Sequence, residues 1–380
     1  MDAAVSKTKH RAAMGMLAIC NAGSLVAATN LVISLHPEDK ITVKRGAALT
    51  ALGFVYFMTL FELLNSLALS TGAGARFRHK YRLSCGDVLD ITNKLVSAVQ
   101  AALSCVTGTI VCLWSCTRDF MRSSHYMSEA YAWFGAAYFF YDIWSMYMVH
   151  VQMNSNPEVS SSKRRLSKNG SAPLSSGDST VQKKQGTTFL DYCKHEPVIL
   201  MHHLFIGGFG FLVIVYLRGN LGDCTFGFVY LMELSTPFVS VRGILSRMRL
   251  KSSRLYIVNG ILMLLTFFVC RVLSLPYVCL MYSRVLGLSY VDAIRSLPTG
   301  CKISICILLL PQLYWFYLMS AGALKMLFGT GKKSASFSGG DVAASSLPCA
   351  AQCDAAQCGA AQGGAAQCSA APPGKAHKRS

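Results

Sequence analysis

His195-Glu196-Pro197-Val198-Ile199-Leu200-Met201-His202-His203-Leu204 opens a run that stays apolar as far as Tyr216. A run of that character reads as a bilayer-crossing helix, because about 20 residues rising ~1.5 Å each cover the hydrocarbon core. Adjacent residues on a helix point about 100° apart, so the two histidines do not share a ligand like an i, i+4 pair. Both can nevertheless face one cavity between neighbouring helices. Ionisable side chains at this depth are costly and point to function; the plainer alternative is that one of them hydrogen-bonds across helices as packing glue.

The whole chain agrees with that reading. With 52% hydrophobic and 14% charged residues over 380 positions, it is too apolar for an ordinary soluble domain of this length. The expected fold class is an all-α, polytopic transmembrane helix bundle of about 7–8 spans. The net charge of +18 lies in short connections between apolar runs, where the positive-inside rule accounts for it, and no nucleic-acid motif accompanies it. The partner is therefore the lipid bilayer. The 15 cysteines show no metal-ligand spacing, so neither a zinc site nor a disulfide framework is indicated, and most read as small apolar fillers.

In chain order, Lys7, Lys9 and Arg11 precede an apolar run from Ala12 to Leu35 that reads as a retained anchor or span, with a cleaved signal peptide as the alternative. Further spans follow near 47–70, 88–114, 127–150, 197–217, 224–245, 255–282 and 301–327, and Gly72 to Arg82 reads as a compact basic loop. Residues 152–194 are rich in Ser, Gly, Lys and Arg and read as a disordered cytosolic loop. From Gly329 the composition collapses to Gly, Ser, Ala, Gln and Cys, a low-complexity tail. The chain thus divides into an anchor and loop (1–46), a transmembrane domain (47–328) and a disordered tail (329–380). Counting Lys and Arg in the connections puts both termini in the cytosol.

Several polar residues fall inside these spans. Asp142 lies on the fourth, whose cytosolic end is His150; Glu233, followed by Leu234-Ser235-Thr236-Pro237, lies on the sixth; Asn259 and Arg271 lie on the seventh and Gln312 on the eighth. An unpaired arginine at this depth is costly, so Arg271 is expected to pair with Asp142 or Glu233, a pairing that could be architecture and not chemistry. A desolvated neutral histidine can take a proton from an amine or hydroxyl nucleophile, and a nearby carboxylate can orient it. A histidine can also be acylated transiently. Acyl transfer is thus one chemistry the histidines suit. Proton relay in a transporter would use the same residue types, although no inverted repeat supports it.

Leu95-Val96-Ser97-Ala98-Val99-Gln100, Tyr141-Asp142-Ile143, His202-His203, Arg218-Gly219-Asn220-Leu221-Gly222-Asp223, Glu233-Leu234-Ser235-Thr236-Pro237-Phe238-Val239, Val258-Asn259-Gly260-Ile261-Leu262, Cys270-Arg271-Val272-Leu273 and Pro311-Gln312-Leu313-Tyr314-Trp315-Phe316 follow one another in order. Together they resemble the TLC domain family, most closely its TLC domain-containing protein 3 branch (family with sequence similarity 57), which is related to the ceramide synthases. The resemblance implies a multi-pass protein of the endoplasmic reticulum, with Golgi or plasma membrane as alternatives, acting in sphingolipid metabolism. It implies no bound cofactor, acyl-CoA as co-substrate and a sphingoid base as acceptor, and leaves homo- or hetero-oligomers open. Catalytic candidates under it are His202, His203, Glu233 and Asp142; substrate-contacting or structural candidates are Arg271, Asn259, Tyr141, Gln312 and His150. Where the synthases carry a His-Asp pair and a further aspartate, this chain has Glu233-Leu234-Ser235-Thr236-Pro237. A non-enzymatic lipid-binding or membrane-lipid regulatory protein on the same fold is the alternative.

Overall fold

The computed structural model describes residues 2–154, 188–219 and 221–328. The tail from Gly329, the central part of the 152–194 loop and Asn220 lie outside the described residues. Long helices dominate: α1 (Asp2–Val32), α2 (Val43–Ser70), α4 (Cys85–Ser115), α5 (Tyr126–Asn154), α7 (Pro197–Leu217), α8 (Asp223–Arg247), α9 (Arg254–Leu286) and α11 (Thr299–Phe328). Three shorter helices, α3 (Gly72–Tyr81), α6 (Phe189–His195) and α10 (Tyr290–Ser296), join them. Among the described residues there is no strand.

Seven of the long helices are long and apolar enough to cross a membrane by composition. The remaining long helix, α5, is the most buried, with Ser128 to Tyr138 enclosed by neighbours. It still crosses: it lies antiparallel to α4 along its height, Trp114 meeting His125 at one end and Gly86 approaching Met153 at the other.

α4, α5, α7, α8, α9 and α11 stand in a ring, in the spatial order α7, α5, α4, α8, α9, α11. α4 and α8 come close because Gly108 and Gly227 face each other. A methyl group on Gly108 would lie 2.7 Å from the Gly227 carbonyl oxygen, the small-residue contact that membrane helices use to approach. α1 and α2 pack outside as a hairpin, tied by the Asn21 amide donating to the Tyr56 carbonyl (2.8 Å), and α2 lies on α5 through Phe57, Phe61, Tyr138 and Tyr141. The first apolar run is therefore helical from Ala12 to Val32 beside α2.

The ends of the bundle differ. At one end the first connection meets the head of α5: Tyr126 N–H donates to the Pro37 carbonyl (2.7 Å) and Ile41 N–H to Glu129 (3.1 Å). There Asp223 accepts from the His125 N–H (2.6 Å) and pairs with Arg218. A disulfide joins Cys116 to Cys224 at this same end. That bond corrects the reading that the cysteines indicate no disulfide. The partners are 108 residues apart, and only the antiparallel folding of α4 and α5 brings their connection to the head of α8. At the other end Asp90 takes Lys94 (3.0 Å) and Arg247 (2.5 Å), knitting α4 to α8.

Two stretches read as loops are helical. Gly72–Tyr81 forms α3, with the Thr71 hydroxyl accepting the Gly74 N–H. Phe189–His195, at the end of the region read as a disordered loop, forms α6, because Thr188 and Asp191 make a reciprocal capping box and Phe189 and Tyr192 pack on Tyr147.

Candidate functional site

The inner side of the ring carries two polar clusters at neighbouring depths. The first is built on α4, α5 and α7. His203 Nε2 lies 2.7 Å from Asp142 Oδ2, and its Nδ1 lies 2.8 Å from the Ile199 carbonyl oxygen one turn earlier. Both groups are buried, at 8% and 5% exposure. A carbonyl only accepts, so Nδ1 must carry a proton. The remaining position, between Nε2 and the carboxylate, then holds one further shared proton. Whichever side carries it, the pair has no net charge and can persist at this depth.

Asp142 is held from its other oxygen by the Asn93 amide, which donates to Oδ1 at 3.1 Å. The Asn93 side-chain oxygen accepts from Ser145 (2.7 Å) and from Tyr141 (3.1 Å). Tyr141 is thus a support for Asp142 through Asn93, and its ring packs against Phe57 and Phe61. Sequence reasoning passed over Asn93 and Ser145. The signal for Asn93 was the polar run Asp90, Thr92, Asn93, Lys94 inside an otherwise apolar span.

The second cluster is built on α8, α9 and α11. Arg271 Nη2 contacts Glu233 (3.2 Å) and Thr236 (2.8 Å), its Nε donates to the Ser235 hydroxyl (2.7 Å), and its Nη1 reaches Gln312 Oε1 at 3.5 Å. Of the two carboxylates open to Arg271, the structure pairs it with Glu233, because Asp142 is occupied by His203. Thr236 also donates to Glu233 (2.5 Å), so the carboxylate is tied from two sides.

His202 lies between them. Its ring stands 5.8 Å from that of His203 and 5.3 Å from Trp315 on α11, edge-on in both cases. Among the described residues its ring nitrogens have no hydrogen-bond partner, whereas both nitrogens of His203 are engaged. The other candidates lie apart. Asn259 donates to the Phe238 carbonyl (2.8 Å) and ties α9 to α8, and His150 sits at the end of α5 among Asn154, Tyr192 and His195. Among the described residues no three His, Cys, Asp or Glu side chains gather as a metal-ligand set.

The backbone is irregular where these side chains are presented. A π-helical segment, Phe205–Gly210, directly follows the histidines; Glu233 lies in a 3₁₀ segment, Met232–Ser235; Arg271 lies in a π segment, Phe268–Val272. Such departures gather at functional sites because they re-aim a side chain at the cost of regular hydrogen bonds. Pro237, which cannot donate to the preceding turn, accounts for the break in α8. Nothing in the residue types of α7 or α9 announced the π segments.

The family model of the TLC domain matches residues 90–321, a stretch that covers most or all of each of the six helices of the ring. No solved structure matches the chain.

Proposed function

Since the chain belongs to the TLC domain family, we propose that this multi-pass membrane protein joins an acyl-CoA to the amine of a sphingoid base, as a ceramide synthase-type N-acyltransferase of the endoplasmic reticulum membrane. The sequence motifs quoted above support membership of the TLC domain-containing protein 3 branch. The observation that carries the reading is the contrast between the two histidines: His203 is locked to Asp142 and Ile199, while His202 beside it keeps its ring nitrogens free.

In this mechanism the amine nitrogen attacks the thioester carbonyl, the C–N bond forms and the C–S bond breaks. His202 takes the proton released from the amine and passes it to the departing thiolate, so the products are an amide and the CoA thiol. The Asp142–His203 pair positions His202 and keeps a neutral partner next to it. The Arg271 guanidinium, already compensated by Glu233, bounds the other side.

The test is product formation by the purified full-length chain in nanodiscs, with sphinganine and a series of acyl-CoA esters, read by mass spectrometry. Wild type is expected to form the N-acyl product, and His202→Ala to form it at least about 100-fold more slowly, the usual worth of a general base. Binding of both substrates without product from any chain length rejects the reaction.

A second reading is favoured by one specific observation. Glu233 stands where the synthases carry further acidic chemistry, and it is already committed to Arg271 and Thr236. A non-enzymatic lipid-binding protein would use the same interior to hold a headgroup. Under that reading alanine at both histidines changes lipid retention while no turnover exists to lose.

A further inference from the structure

α3 and its cap carry Arg76, Arg78, His79, Lys80 and Arg82 without one acidic residue. Several cations in the interior and at the ends of the bundle do meet a carboxylate: Lys94 and Arg247 meet Asp90, Arg218 meets Asp223, and Arg271 meets Glu233. Among the described residues no carboxylate pairs with a cation of α3. Arg78, His79 and Arg82 line one open groove, together with Ala75 and Leu83.

Two features mark that groove as more than a generic basic surface. Arg78 Nη2 donates to the Leu69 carbonyl (3.0 Å), which fixes the guanidinium on the end of α2, yet its Nε–H is buried with no hydrogen-bond partner. A buried donor without an acceptor is costly and rare. Arg82 in turn holds a left-handed backbone, φ 52° and ψ 48°, a region disfavoured for a side chain of this kind. Its N–H closes the helix on the Arg78 and His79 carbonyls. Arg78 in the last turn and Arg82 at the cap both line the groove. Guanidinium groups without a carboxylate partner, gathered at one groove, suit a ligand with several anionic oxygens, and phosphate matches the guanidinium fork.

The depth of the groove narrows the choice of ligand. Phe61 on α2 is level with Tyr141 and Trp144, on either side of Asp142. From Phe61 to Leu69, where Arg78 is anchored, the helix rises about 12 Å. Stepping inward from α2 to the ring interior adds about one interhelical spacing, ~8–10 Å. The extended pantetheine arm of a CoA ester, which separates its pyrophosphate from its thioester, covers such a span. We propose that the α3 groove binds the phosphate groups of the acyl-CoA, placing the thioester at the depth of His202. This rests on the acyl-transfer reading for the identity of the ligand, and the groove lies outside the matched domain, residues 90–321.

The experiment measures equilibrium binding of CoA to the full chain in phosphatidylcholine nanodiscs, with no acyl acceptor present. Arg82→Gly removes the charge while suiting the left-handed backbone, and Arg78→Gln removes the fork; thermal melting of each variant checks the fold. The double variant is expected to bind CoA at least about tenfold more weakly, with a flatter salt dependence, while Arg76→Gln, outside the groove, binds as wild type. CoA affinity unchanged in a folded double variant overturns the proposal. So does unchanged CoA affinity accompanied by lost retention of phosphatidic acid from mixed nanodiscs, which would assign the groove to a lipid headgroup. Because binding is read without turnover, a wild type that binds CoA through α3 but forms no amide rejects the acyl-transfer reaction and leaves the groove standing.

Discussion

His203 Nε2 and Asp142 Oδ2 stand 2.7 Å apart, with the other nitrogen of the ring committed to the Ile199 carbonyl. The two residues come from helices separated by the long loop, and their contact joins α7 to α5 inside the ring. Removing one partner leaves the other buried and uncompensated. Asp142→Ala is therefore expected to destabilise the protein by about 3 kcal/mol, and Asp142→Asn by less, since the amide can still donate to the freed ring nitrogen. Chemical denaturation in detergent reads the difference. Equal stability of wild type and Asp142→Ala would show the pair is not holding the helices.

Arg271 and Glu233 offer the sharper comparison because each also binds neutral partners. Glu233→Gln leaves the guanidinium in the interior with only Ser235, Thr236 and Gln312, and should cost about 3 kcal/mol. Arg271→Met combined with Glu233→Leu should recover much of that loss, as paired charges replaced together often do. A double-mutant cycle that shows additive losses would contradict the pairing.

The Cys116–Cys224 bond closes a loop of 108 residues containing α5, α6 and all of α7. Cross-links of long loops contribute about 2–4 kcal/mol, chiefly by restricting the unfolded chain. Reduction, or Cys116→Ser, is expected to lower the melting temperature and to change mobility on a non-reducing gel. Identical mobility with and without reductant would refute the bond.

His125 gives a pH dependence at the same end of the bundle. Burial holds its imidazole below the ordinary value of 6.5, and its Nδ1 accepts the Met127 N–H at 3.2 Å, which requires the unprotonated form. The folded state thus binds fewer protons than the unfolded one. The contribution of this residue is complete above about pH 6.5 and is lost as the pH falls below that value. Thermal melting between about pH 7.5 and 5 should decline in wild type and less in His125→Gln. Parallel profiles would exclude His125 as the cause.

The spans and the intramembrane polar residues were legible because apolar length and a charge in a greasy run are local properties. Which polar residue meets which was not. Arg271 had two carboxylates open to it, and the choice depended on α7 delivering His203 to Asp142, a matter of helix neighbourhood. The support of Asp142 by Asn93, the Cys116–Cys224 bond and the π segments of α7 and α9 share that origin: each depends on elements distant in the chain or on backbone adjustments to packing. α3 and α6 were hidden for a different reason. Their basic and polar composition resembles that of a loop, and only the caps at Thr71 and Thr188 mark them as helices.

The staves of this hoop are not equally bound. α5, α4 and α8 interlock through glycines and hydrogen bonds, whereas α7 and α11 meet where the imidazole of His202 touches the indole of Trp315. An aromatic contact of that kind is worth about 0.5–1.5 kcal/mol, so thermal motion parts it often. Spin labels on Met201 and Leu310, exposed residues of the two helices, should report a broad distance distribution there; a narrow one would mean the slit stays shut. The bundle is in effect a split sleeve, and the two-tailed product of the proposed acyl transfer would slide out sideways among the lipids without ever meeting water.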